Sequence, residues 1–72
     1  MDFIEIDMGG DRLALRKDSI LAVREFHNTP KEVIKDHPWL KNVESCTYIN
    51  ASSSGSFFCL DSYDAIMQQL RS

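Results

Sequence analysis

At 72 residues the chain has room for one domain and one small core, which is marginal by itself; domains this small commonly add a disulfide, a metal or a partner subunit. A hydrophobic content of 43% excludes a disordered chain, and a formal charge of −3 speaks against a phosphate-binding surface as the main role. No apolar run approaches the roughly 20 residues that a membrane span requires.

Residues 3–8 alternate, with Ile4, Ile6 and Met8 on one side and Phe3, Glu5 and Asp7 on the other. That is the pattern of a half-buried strand. Gly9-Gly10 then supplies a two-residue turn, because positive φ is free for glycine at both positions. The return strand closes a hairpin over 3–16. Its register sets Ile6 opposite Leu13 and Ile4 opposite Leu15, with Asp7 opposite Arg12 on the wet face.

Lys17-Asp18-Ser19 is a short polar turn, and a third strand follows over 20–26. Ile20-Leu21-Ala22-Val23 is a consecutive apolar run rather than an alternating one. It implies either a strand covered on both faces or a bulge that changes face midway.

Thr29-Pro30-Lys31-Glu32 reads as a helix start, with Thr29 as cap, Pro30 at the first helical position and Glu32 three residues after the cap. The short helix, 30–37, stops before Pro38. Trp39, Leu40 and Val43 form a further apolar cluster at an edge or end of the sheet.

Thr47-Tyr48-Ile49-Asn50-Ala51 and Phe57-Phe58-Cys59-Leu60 are strand-like, and Ser52-Ser53-Ser54-Gly55 bends the chain between them. If Ser53 and Ser54 form the loop of this hairpin, 45–60, then Ile49 faces Phe58, Thr47 faces Leu60 and Tyr48 faces Cys59. One face then carries Thr47, Ile49, Ala51, Phe58 and Leu60, and the other carries Cys46, Tyr48, Phe57 and Cys59. A helix over 62–71 closes the chain. Asp61 or Ser62 caps it, and Tyr63, Ile66, Met67 and Leu70 form its apolar stripe.

The expected architecture is a single α+β domain, 1–72, with the order β-β-β-(short α)-β-β-α. It is a curved antiparallel five-stranded sheet or partial barrel with the C-terminal helix packed on it. Phe3-Ile4-Glu5-Ile6, the glycine turn, Leu13-Ala14-Leu15, Lys17-Asp18-Ser19-Ile20, Val23-Arg24-Glu25, the hairpin around Gly55 and Asp61-Ser62-Tyr63-Asp64-Ala65-Ile66 together resemble the small flagellar FlbD-like proteins. The same plan resembles the closing half of LytTR-type DNA-binding domains. The resemblance spans 3–26 and 46–70 and implies the fold. It hands over no functional residue, and the insertion from His27 to Val43 departs from the short FlbD-like connector.

No metal, cofactor or catalytic site is expected. His27, His37, Cys46 and Cys59 are scattered, whereas structural zinc sites bring their ligands in close pairs. A nucleophile elbow and a glycine-rich phosphate loop are both missing, and Asp61 with Asp64 suits a helix N-terminus. In the register above, Cys46 and Cys59 share a face but lie diagonally, so two thiols are expected rather than a disulfide. The acidic N-terminus is unlike a secretory signal, which puts the reduced thiols in the cytoplasm.

What remains is an aromatic surface, Trp39, Tyr48 and Phe57, on a sheet with two apolar faces. Either the short helix and Trp39 cover it within the chain, or another protein does. The expectation is the second: a non-enzymatic interaction or regulatory module, self-associating or bound to an unidentified protein, such as a bacterial or phage accessory protein. The alternatives are a nucleic-acid binder with Arg12, Arg16, Lys17 and Arg24 on phosphates, and a small-ligand or metal site formed between subunits from His27, His37 or the thiols.

Overall fold

The structure is a computed structural model that describes residues 2–41, 43–52 and 55–72. Strand β1 (Phe3–Asp7) and strand β2 (Arg12–Arg16) form a hairpin in which Ile4 pairs with Leu15, Ile6 with Leu13 and Asp7 with Arg12. This is the register that the glycine turn dictates. Gly9 and Gly10 take φ of +74° and +105°, and the Met8 N–H donates to the Asp11 carbonyl at 2.8 Å to close the turn.

A 3-10 turn, Lys17–Ser19, leads into β3 (Ile20–Phe26). β3 pairs antiparallel with β4 (Cys46–Ala51), which pairs antiparallel with β5 (Gly55–Cys59). The apolar run in β3 is explained by a bulge: Ile20 pairs with Ala51 and Ala22 with Asn50, so Leu21 has no partner. The extra residue lets Ile20 and Val23, three apart, both pack on the core.

The expected single five-stranded sheet, or partial barrel, is not what forms. The chain makes a two-stranded sheet, β1-β2, and a three-stranded sheet, β3-β4-β5. The cause lies at the outer edge of β1. The Glu5 N–H donates to Gln69 Oε1 at 2.9 Å, and Gln69 Nε2 donates back to the Glu5 carbonyl at 3.0 Å. The Asp7 N–H donates to the Asp61 carboxylate at 2.7 Å. Side chains from the C-terminal helix and from Asp61 just before its cap thus occupy the positions where a neighbouring strand would bond. One backbone bond to the chain leaving β5 remains, from the Leu60 N–H to the Asp7 carbonyl at 2.9 Å.

Helix α2 (Tyr63–Arg71) is capped by Ser62, whose hydroxyl accepts from the Ala65 N–H at 3.1 Å. It lies where both sheets can reach it. Ile4, Ile6 and Leu15 from the hairpin, Ile49 and Cys59 from the three-stranded sheet and Ile66 from α2 make one buried cluster.

The second hairpin is paired one step away from the sequence expectation. Thr47 faces Cys59, Tyr48 faces Phe58 and Ile49 faces Phe57. Ala51 pairs with Gly55, which leaves three residues, 52–54, as the connection instead of a two-residue Ser53-Ser54 loop; Ser53 and Ser54 themselves lie outside the described residues. Gly55, the first residue of β5, has φ of +93°, a left-handed geometry that glycine adopts without steric cost.

The segment between β3 and β4 covers the far side of the three-stranded sheet. It contains helix α1 (Lys31–Asp36) and a 3-10 turn, Pro38–Leu40. Thr29 does not cap α1. Pro30 stands at the cap position with no side-chain bond, while the Thr29 hydroxyl donates to Cys46 Sγ at 3.4 Å.

Candidate functional site

The register shift separates the three aromatic residues expected to share a surface. Phe57 lies opposite Ile49 and packs against the main core. Tyr48 lies on the other face, with Phe26, Phe58 and His37 in an aromatic cluster whose ring centroids are 5.0 to 6.3 Å apart. Trp39 joins this cluster edge-on to His37 at 5.1 Å.

Trp39 has a structural position of its own. Its Nε1–H donates to the Phe58 carbonyl at 3.3 Å, on the outer edge of β5. Its Cβ lies so close to Gly9 that a Cβ on that glycine would collide with it. The indole is therefore wedged between the first hairpin turn and the edge of the second sheet. Trp39, Tyr48 and Phe57 are each half-buried, and the chain itself supplies most of their cover.

The basic residues do not gather. Arg12 and Arg16 stand on β2, paired with Glu5 at 3.7 Å and Asp18 at 3.0 Å. Lys17 donates to the Ser72 carbonyl at 2.6 Å. Arg24 is in the other sheet, stacked over the Phe26 ring at 5.1 Å.

The histidines and cysteines are equally dispersed. His27 pairs with Glu25 at 3.2 Å. His37 donates from Nδ1 to the Val33 carbonyl at 2.8 Å, which fixes the tautomer because a carbonyl only accepts. Cys46 alternates with Thr47, and Thr47 faces Cys59, so the two thiols are on opposite faces of the sheet; both are buried and free. Burial, followed by the nearby Asp61 charge, pushes the Cys59 thiol up to about 12. It stays protonated and inert near neutrality.

The exposed apolar surface lies elsewhere. Leu21, the bulged residue of β3, is 66% exposed. It borders a groove of about 260 Å³ between β3 and α2, which is also lined by Ile20, Val23, Tyr63, Met67 and Leu70. None of these side chains is charged. Phe3, at 53%, is the other exposed large apolar residue among those described. Its groove, about 540 Å³, is lined by Ala14, Glu5 and Gln69 as well, so it carries a charged side chain that the β3–α2 groove lacks.

The consecutive apolar run at Ile20–Val23 was the available signal for this site. An alternating strand hides half of its residues, whereas a bulge within an apolar run must turn one outward. Which residue is ejected depends on the pairing with β4. Among the described residues no helix is long and apolar enough to cross a membrane. Searches against protein-family models, curated proteins and solved structures find no match to this chain.

Proposed function

We propose that this chain is a non-enzymatic protein-interaction module whose contact surface is the groove between β3 and α2. The observation that carries the reading is Leu21. A large apolar side chain stands in solvent beside five half-buried, uncharged neighbours, and contiguous apolar surface of this kind is what protein contacts use. β3 is also an edge strand, with β4 on one side only, and such edges are open to pairing. The β1 edge, by contrast, is occupied by Gln69 and Asp61, and the β5 edge by Trp39.

A photoreactive amino acid at position 21, with the exposed Lys35 of α1 as the control site, tests the reading in cells that produce the chain. Protein adducts, to another copy or to a different protein, are expected from position 21 and not from position 35. Equal yields from both positions, or none from position 21, contradict it.

A further inference from the structure

Resting on that reading, we infer that the groove is covered by a second copy of the same chain, related by a two-fold axis that passes Met67 and sets the two α2 helices antiparallel. The argument is charge complementarity along α2. At 100° per residue, Met67 lies on the side of the helix away from Gln69, and it lines the groove. Asp64 and Arg71 continue that side at the helix ends, three residues before Met67 and four after it. Both are exposed, and neither enters an ion pair among the described residues.

The N-terminal end of this stripe is acidic, at Asp64, and the C-terminal end is basic, at Arg71. Laid antiparallel on a copy of itself, the stripe sets each Asp64 against the other chain's Arg71. A parallel arrangement sets like against like. Seven residues span about 10.5 Å of helix, so the two ion pairs flank the axis while Met67, Leu21 and the groove fill the centre. Such a contact is isologous, as closed dimers require. It stacks an uncharged middle inside a charged rim, the usual anatomy of an interface.

Sedimentation equilibrium of the full chain, from low to high micromolar, provides the test. A monomer–dimer equilibrium is expected. Leu21→Asp, at a site exposed in the monomer, is expected to weaken it about a hundredfold, since each copy then buries a charge in place of a leucine. Asp64→Arg or Arg71→Asp alone turns both ion pairs into repulsions and is expected to weaken it about tenfold. The double exchange restores complementarity and is expected to recover most of the affinity. Circular dichroism and thermal unfolding check that each variant is folded, and Leu21→Asp decides the matter if the double exchange is not.

A dimer indifferent to Leu21→Asp overturns the inference, as does a folded double exchange no tighter than the single variants. A wild-type chain that stays monomeric throughout also overturns it, and leaves the crosslinking at position 21 to decide the interaction reading separately.

Discussion

Two residues show how closely single side chains set this structure. Gly9 is held twice: its φ of +74° suits glycine, and a Cβ there would collide with Trp39. Gly9→Ala is therefore expected to cost about 2 kcal/mol or more, since strain and overpacking add. Gly10→Ala meets nothing within 4 Å and is expected to cost about 1 kcal/mol, from its backbone angle alone. Urea unfolding of the two variants measures the difference, and equal losses would count against the Trp39 wedge. Cys59 gives a pH signature. Its folded-state thiol is raised from 9.0 to about 12 by burial and by Asp61, so between these values the unfolded chain loses this proton and the folded chain keeps it. The contribution to stability is complete below pH 9 and declines as pH rises towards 12. The stability gap between wild type and Cys59→Ala is expected to narrow from pH 8 to pH 10.5, and a gap independent of pH would contradict the protonated, buried thiol.

At the scale of elements, the finding that organises the fold is that α2 replaces a strand at the edge of β1. Gln69→Ala removes both bonds to the Glu5 backbone and is expected to cost about 1–2 kcal/mol. Amide exchange at Glu5 should then accelerate more than exchange within β4, and an unchanged rate would mean that the amide does not close the edge. The covering segment between β3 and β4 is attached differently. α1 buries none of its own residues, and Leu40 of the 3-10 turn is fully buried. Leu40→Ala is expected to cost about 2–5 kcal/mol, whereas substitutions on the exposed side of α1 should stay within about 0.5 kcal/mol. These elements also mark what was legible in the chain. The first hairpin was readable to the residue, because Gly9-Gly10 fixes both turn and register. The second was misread by one step, because its loop was read as the two residues Ser53-Ser54 whereas the pairing of Ala51 with Gly55 leaves three, 52–54, and that step moved Phe57 from the aromatic face to the core. The division into two sheets was not readable at all. Nothing local to Gln69, which lies off the apolar stripe of α2, says that its amide will bond a strand 64 residues away.

For the whole molecule, two sheets, one helix and a covering segment bury one core and leave a bulged strand and one side of α2 in solvent. The aromatic residues that look most like a docking surface in the sequence are mostly spent on holding the covering segment to the sheet, so the exposed apolar surface falls to Leu21 and its neighbours. That location is the central claim, and concentration-dependent chemical shifts of the backbone amides test it most directly. On dilution from high to low micromolar, shifts are expected to cluster in Ile20–Val23 and along α2 from Tyr63 to Arg71, with Trp39, Tyr48 and the rest of the aromatic cluster unmoved. Shifts centred on the aromatic cluster, or a spectrum independent of concentration that also ignores every partner crosslinked from position 21, would contradict it.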